Sequence, residues 1–160
     1  MGNFFLLILL SCFGVCGAFA QTSCEYPASL DKEDFKILSD EQVFVLGEFG
    51  SLTTFFKNPS TSTMVNAVDF IECEGYMPNR AKIESIRVVE VTGLPKGLSW
   101  SCDVETNSWK GGEIGCFFIE GVAEEVGTFP LVIEVEGVGG LFGVTRTYPC
   151  FFRGFEVVVK

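Results

Sequence analysis

The segment WSCDVETNSWKGGEIGCFFIEG, residues 100–121, carries the residue types most able to do chemistry: Cys102 and Cys116 bracket a tryptophan, a glycine pair and several acids. Two thiols beside carboxylates could act as a nucleophilic centre, a metal site or a disulfide. The chain has no histidine, so Ser-His-Asp and Cys-His catalysis cannot be assembled and imidazole metal sites are absent. It also has no Cys-x-x-Cys pair, which gives a zinc site little support. We therefore favour a disulfide and expect no metal or cofactor.

The cysteine count alone does not select the pairing. Beyond residue 20 the sequence contains Cys24, Cys73, Cys102, Cys116 and Cys150. Their odd number leaves at least one that is free or pairs between molecules, and with two bridges, five choices of that residue and three pairings of the other four allow fifteen connectivities. In our interpretation a Cys102–Cys116 bridge joins two neighbouring strands, Trp109 folds the loop back over it, and loop closure stabilises the fold by about 3 kcal/mol. Cys73 and Cys150 are then a possible second bridge.

A pair of acids raises the question of hydrolysis. Glu134 and Glu136 alternate along TFPLVIEVEG and would share one face of a strand, roughly 6 to 7 Å apart by strand rise. Two carboxylates near this separation can hydrolyse a glycosidic bond. Glutamates at alternate strand positions are also how a sheet exposes a polar outer face, and we favour this interpretation. We therefore do not expect an enzyme.

Exposed aromatic rings could bind sugars, and the candidates in this sequence are Tyr76, Trp100, Trp109 and Tyr148. Trp100 falls in the predicted strand LSWSC and is expected to be buried. Trp109 lies in the predicted loop between Cys102 and Cys116, and loops held by a rigid scaffold are where binding groups concentrate. Trp109 is therefore our candidate ligand contact.

The elements that must position these residues are predicted to be short strands. From residue 41 onward, runs rich in Val, Ile, Phe and Thr are separated by Gly, Pro, Asn and Ser, which is typical of all-β domains. In TFPLVIEVEG, Leu131, Ile133 and Val135 face one side and the two acids the other. KIESIRVVEV breaks such alternation between Ile86 and Val89, which predicts either a β-bulge or a strand covered on both faces. About seven to nine strands at this spacing predict an immunoglobulin-like, antiparallel two-sheet β-sandwich.

The start of the chain predicts export. Residues 1–20, MGNFFLLILLSCFGVCGAFA, carry no charge and end in a small-x-small triplet, which predicts a signal peptide cleaved before Gln21. A membrane anchor is one alternative, and a lipid anchor at Cys12 is another, because LLSC loosely resembles a bacterial lipobox. Residues 21–40 are interpreted as a lead-in segment and residues 41–160 as the sandwich domain. We expect a secreted or cell-surface protein with no membrane insertion after cleavage.

The charge of the chain excludes one class of partner. Its formal net charge is −10 at pH 7, all of it beyond residue 20, and no cluster of Lys and Arg reverses this locally. Such a chain repels phosphate backbones and anionic lipids. We exclude nucleic acid as the main partner and expect a protein or a polysaccharide at the cell surface.

Two stretches, VTGLPKGLSWSC and WKGGEIGCFFIEGVAEEVGTFPLVIEVEG, resemble immunoglobulin-like modules in secreted and cell-surface proteins of Bacteroidetes-type bacteria. The shared pattern is G-L-P-x-G-L, a cysteine-bracketed loop with a glycine pair, and then G-C-x-x-I-x-G. The matching positions are Gly93, Leu94, Pro95, Gly97, Leu98, Cys102, Gly111, Gly112, Gly115, Cys116, Ile119, Gly121, Gly127, Thr128, Pro130 and Leu131. Many relatives carry a third cysteine where Asn107 stands, and Val122-Ala123 replaces their Thr-Pro. The first departure leaves Cys102 and Cys116 as mutual partners.

The resemblance implies an immunoglobulin-like fold and a non-catalytic role as a spacer or adhesion unit. With the predicted export signal, it leads us to expect a secreted module that has a structural, adhesion or binding role at the cell surface. One alternative is a small exported lipid- or glycan-binding sandwich, and a lipid carrier would have a large apolar cavity between its sheets. The other is a carboxylate-dependent glycoside hydrolase that uses Glu134 and Glu136.

Overall fold

The computed structural model describes Cys24 and residues 36–39, 43–65 and 71–160. These residues form ten strands and one helical turn. In chain order the elements are β1 (Lys36–Ser39), β2 (Val43–Phe44), β3 (Phe49–Lys57), α1 (Ser62–Val65), β4 (Ile71–Cys73), β5 (Lys82–Thr92), β6 (Leu98–Cys102), β7 (Ser108–Lys110), β8 (Ile114–Val122), β9 (Gly127–Leu141) and β10 (Val144–Val159).

The strands form two sheets, which confirms the predicted all-β sandwich. The first sheet has the order β1-β3-β8-β6, and the second has the order β2-β10-β9-β5-β7, with β4 also paired to β10. The strand orders β1-β3-β8-β6 and β10-β9-β5 correspond to the ABED and GFC sheets of an immunoglobulin constant domain. The pairing differs from the expected all-antiparallel arrangement at one place, because the two-residue strand β2 runs parallel to β10.

The sandwich begins earlier than the sequence indicated. Strand β1 lies within the segment that was interpreted as a lead-in, and its backbone pairs with β3 from Lys36 opposite Lys57 to Ser39 opposite Thr54. The predicted signal peptide, its cleavage before Gln21 and the alternative anchor at Cys12 lie outside the described residues. Across the described part of the chain, no helix has the length and apolar character needed to cross a bilayer.

The core lies between the inner faces of the two sheets. Leu131 and Val135 of β9 are buried there, as their alternation predicts, and Val157 and Val159 of β10 are each 1% exposed. Successive residues of a strand point to opposite faces, so these alternating positions all face the first sheet. The inner face is therefore apolar at these positions of the central β9–β10 pair.

Irregular pairing keeps the inner faces apolar where strict alternation fails. Strand β5 shifts register against β9 between Ile83 and Ser85 and again between Val88 and Glu90, the second at the end of the stretch where the sequence predicted a bulge. Strand β10 shifts register against β9 between Phe152 and Phe155. This shift lets both phenylalanines face the interior.

Candidate functional site

The disulfides differ from the interpretation of the cysteine-bracketed loop. Cys116 of β8 is bonded to Cys24, with 6.1 Å between the Cα atoms, and the expected Cys102–Cys116 bridge does not form. The register of β6 with β8 is the reason, because it sets Cys102 opposite Phe117. Partners across a sheet share a face, whereas neighbours along a strand point to opposite faces. Cys102 therefore faces inward with Phe117, and Cys116 faces outward.

The second bridge joins two adjacent strands of the second sheet. Cys73 of β4 and Cys150 of β10 form a disulfide, with 3.9 Å between the Cα atoms. They are direct partners in the antiparallel register of β4 and β10. This is the pair that the sequence analysis considered as a second bridge. It fastens the three-residue strand β4 to the edge of the second sheet.

Cys102 is the free cysteine among the described residues. Burial, and to a smaller extent the neighbouring carboxylate of Asp103, raises the pKa of its thiol to about 12. The thiol is therefore protonated at neutral pH. Because the thiolate is the nucleophile and the metal ligand, this environment makes Cys102 unreactive.

Asp103 lies beside the other bridge, where three potential metal ligands come together. Its carboxylate and the sulfurs of Cys24 and Cys116 lie within 4.8 Å of one another. The two sulfurs are bonded to each other, so neither is available as a thiolate, the form that ligates metals. This cluster does not have the donors of a metal centre.

Trp109 is a core residue, whereas its place in a predicted loop had indicated an exposed ligand contact. It is 4% exposed, and its ring packs edge-on against Phe56 with 4.7 Å between the centroids. Its indole Nε1 donates a hydrogen bond of 2.9 Å to Asp103 Oδ1. Gly115 makes room for the ring, because a Cβ at that position would lie 2.6 Å from the indole nitrogen. The loop does fold back, but it folds into the core.

The other aromatic candidates divide between the interior and the surface. Trp100 is half-buried and stacks on Phe117 with 6.0 Å between the ring centroids. Tyr148 is buried, whereas Tyr76 is 80% exposed and Phe142 is 97% exposed. Phe142 lies in the turn between β9 and β10, and Tyr76 precedes β5, whose first residue pairs near that turn. Tyr76 and Phe142 therefore lie at the same end of the second sheet.

The two candidate acids lie on the outer face of the second sheet. Glu136 pairs across the sheet with Arg87 of β5, and Arg87 Nη2 lies 2.5 Å from Glu136 Oε2. Glu134 lies opposite Phe151 of β10 on the same face. Both acids are half-buried, and the ion pair commits Glu136 to a guanidinium. This is the solvated outer face that the alternation of β9 predicted.

A cavity of about 90 Å³ lies between the two sheets. Its walls include Leu52, Phe117 and Ile119 from the first sheet and Val88, Ile133 and Phe155 from the second. The polar residues on the wall are Thr54, Asn58 and Glu156. The side chain of Asn58 donates a hydrogen bond of 3.4 Å to the carbonyl of Lys110.

Sequence reasoning left Cys24 unassigned and did not consider Phe142. Cys24 is 92 positions away from its partner, so no local spacing could indicate the pair. The sequence signal for Phe142 was weak: it is followed by Gly143, and glycine is typical of turns. In the structure Gly143 has a φ of 80°, as such a turn requires. A phenylalanine in a turn between two long strands is a candidate for exposure.

Comparison with models of known protein families and with curated protein sequences finds no match for this chain. The class of this protein is therefore defined by its fold and its disulfides. It is a two-sheet β-sandwich with the strand order of an immunoglobulin constant domain and two disulfides. Neither disulfide links the two sheets through the core, unlike the bridge of antibody domains.

Proposed function

We propose that this chain is exported and that its sandwich is a non-catalytic immunoglobulin-like module with a structural, adhesion or binding role at the cell surface. The observation that carries the proposal is the pair of disulfides, Cys24–Cys116 and Cys73–Cys150. Disulfides persist in oxidising compartments and are rare where thiols are kept reduced. The apolar first twenty residues of the sequence support the same destination.

The location of the bridges supports a structural role. Cys24 is fastened to Cys116 in a central strand of the first sheet, and Cys73 is fastened to Cys150 at the edge of the second. Each bridge closes a long loop, with sequence separations of 92 and 77. Long closed loops restrict the unfolded chain most, which suits a protein that must persist outside the cell.

The state of the candidate reactive groups favours a non-catalytic role. The Cys102 thiol, with its pKa raised to about 12 by burial, stays protonated at neutral pH. The carboxylate of Glu136 is paired with Arg87 on an exposed face. A glycoside hydrolase needs one protonated and one ionised carboxyl group flanking a bond in a cleft. Glu134 and Glu136 lie on a sheet face instead.

The exposed aromatics at one end of the second sheet are the contact residues that we propose for a partner. Tyr76 and Phe142 take the place of Trp109, which is buried. The partner is a protein or a polysaccharide, because aromatic rings stack on sugar faces and anchor protein interfaces. The net charge of −10 disfavours nucleic acid.

The intact mass of the secreted protein tests the export part of the proposal. The full chain is expressed in a host that recognises bacterial signals, free thiols are alkylated, and the mass is measured with and without reduction. We expect the protein outside the cell, starting at Gln21, with two bridges and one alkylated thiol after denaturation. Retention in the reducing cytoplasm with all seven thiols of the full chain free contradicts the proposal, and an acylated start at Cys12 indicates an anchored form.

Two sets of variants test the role. If the module is non-catalytic, the double variant Glu134→Gln with Glu136→Gln behaves like the unsubstituted protein on a panel of glycan substrates. A glycan-cleaving activity that the double variant loses contradicts the proposal. Tyr76→Ser with Phe142→Ser lowers retention on a glycan array or on intact cells. The matched control is Phe49→Ser, an exposed phenylalanine at the opposite end of the sandwich.

A further inference from the structure

The space between the sheets continues beyond the main cavity. A second cavity of about 20 Å³ is lined by Met77, Ile83 and Gly137 among others. Three residues, Ile86, Val135 and Phe152, line both cavities. The two spaces are therefore neighbours that share one wall, and a change of rotamer at that wall would connect them.

The two cavities follow one strand. Leu131, Ile133 and Val135 of β9 line the main cavity, and Val135 and Gly137 line the second. These are successive inner positions, and the seven residues from Leu131 to Gly137 span about 20 Å at the usual strand rise. The two cavities together therefore border the inner face of β9 from Leu131 to Gly137.

The chemistry of the walls selects an apolar occupant. Leucine, isoleucine, valine and phenylalanine from both sheets form most of the main cavity. A buried water needs two to four polar partners, and an apolar cavity without them stays dry and takes apolar molecules instead. The second cavity is lined by apolar side chains, a cysteine of the Cys73–Cys150 bridge and a glycine.

The polar residues of the main cavity select the other end of the occupant. Glu156 is exposed and lies between the inward-facing Phe155 and Val157, so its carboxylate points away from the interior, and the polar side chains on the inner wall are those of Thr54 and Asn58. Both of these side chains are neutral, so a charged head group would be buried there without an opposite charge, which is unfavourable. A neutral hydroxyl or ester group can be accommodated there without that cost.

We propose that the cavity between the sheets binds an unbranched alkyl chain that carries a neutral polar head group. The alkyl chain lies along β9 between the two sheets, and the head group lies near Thr54 and Asn58. This site is separate from the surface at Tyr76 and Phe142 and does not rest on the proposed cell-surface role. If either proposal fails its test, the other is unaffected.

A homologous series of n-alcohols tests the site in the full-length protein after export. Binding is followed by the methyl resonances of Leu131, Ile133 and Val135 in the NMR spectrum, together with calorimetry. We expect Kd to fall about fourfold with each added methylene until the cavity is filled and then to stop falling. The n-carboxylates of equal length are expected to bind at least about tenfold more weakly at neutral pH.

Two substitutions locate the binding. Ile133→Phe fills the main cavity from the second sheet, and Leu52→Phe fills it from the first, so each is expected to weaken binding about tenfold or more. The matched control, Val132→Phe, places the same ring on the outer face of β9 and leaves Kd unchanged. Far-ultraviolet circular dichroism establishes that each variant is folded.

Three results would overturn the proposal. The first is an absence of saturable methyl shifts with any alcohol in the unsubstituted protein, which needs no variant to interpret. The second is a Kd that keeps falling through the longest alcohol, as adsorption to the surface would give. The third is equal binding of alcohols and carboxylates, or equal binding by the Ile133→Phe and Val132→Phe variants.

Discussion

Trp109 and Asp103 link the core to the loop that precedes β7: the buried indole donates its N–H to the Asp103 carboxylate at 2.9 Å. The ring belongs to the core, packed on Phe56, while Asp103 directly follows the last residue of β6. The hydrogen bond therefore fixes the path of the segment from β6 to β7. It also satisfies the polar atom of a residue that is otherwise apolar.

This link predicts a marked loss of stability when the acceptor is removed. Asp103→Ala leaves the indole N–H without its partner, and an unsatisfied buried donor costs about 1–3 kcal/mol. Asp103→Asn keeps an acceptor oxygen and should cost less. Urea denaturation followed by tryptophan fluorescence measures both. In the Trp109→Phe background, which lacks the donor, Asp103→Ala should cost much less, and an equal cost in both backgrounds contradicts the assignment.

The Cys73–Cys150 bridge should contribute strongly to stability. Replacing both cysteines with alanine removes a cross-link over a sequence separation of 77 and is expected to lower the free energy of unfolding by about 4 kcal/mol. Calorimetric thermal unfolding measures the change. Cys102→Ala is the control, because it breaks no bridge, and it should cost clearly less.

A non-reducing peptide map should also contain Cys24 linked to Cys116, and a Cys102–Cys116 peptide would contradict the pairing described above.

The Cys102 thiol predicts a specific alkaline behaviour. Its pKa is raised by burial from the usual 9.0 to about 12, so the folded chain keeps a proton that the unfolded chain gives up. The protonated thiol therefore contributes its full stabilisation of the folded state below about pH 9, and this contribution is lost as the pH rises from about 9 to about 12. Cys102→Ser should reduce this alkaline loss of stability, measured by urea titrations across the range.

The same thiol should react slowly with alkylating reagents in the folded protein. The rate should rise about tenfold per pH unit through about pH 8 to 10 without levelling off, since the thiolate fraction is still small there. Asp103→Asn should speed the reaction only modestly, because burial is the larger cause of the raised pKa. A rate that reaches a plateau near pH 9 would indicate an exposed thiol and contradict this prediction.

The cavity between the sheets predicts a stabilising substitution. Val135→Ile adds one methylene to a residue on the cavity wall and is expected to raise the free energy of unfolding by about 0.8 kcal/mol. Guanidinium denaturation of the ligand-free protein measures the change. Val132→Ile, on the outer face of the same strand, should change stability by less than half as much. Destabilisation by Val135→Ile would mean that the wall has no room for the added group.

Much of the sandwich could be predicted because strand formation is a local property. The alternation of Leu131, Ile133 and Val135 with glutamates indicated which face of β9 enters the core, and the structure buries that face. No strand was predicted at β1, because its short run of Ile37 and Leu38 lies among charged residues and was assigned to a lead-in segment. That strand exists because its backbone pairs with β3 along four residues, a partner that local sequence does not reveal.

The candidate site was harder to predict than the fold. The loop from Cys102 to Cys116 looked like a stapled turn with an exposed tryptophan, because the two cysteines are close in sequence. The register of β6 and β8 turns their side chains to opposite faces, and the short strand β7 carries Trp109 into the core. The motif therefore identified an important segment, but Cys116 pairs with the distant Cys24 and Trp109 is buried rather than exposed.

The amino-acid sequence by itself determined the all-β class, the inner face of the central strands, the acidic character and the absence of histidine chemistry. Each of these depends on composition or on the two-residue period of a strand, which a short stretch of chain contains in full. The tertiary structure alone decided that Cys116 pairs with Cys24, that Trp109 is buried against Phe56 and that a cavity remains between the sheets. These features depend on which strands become neighbours and in what register, and that is set by the packing of residues far apart in the chain.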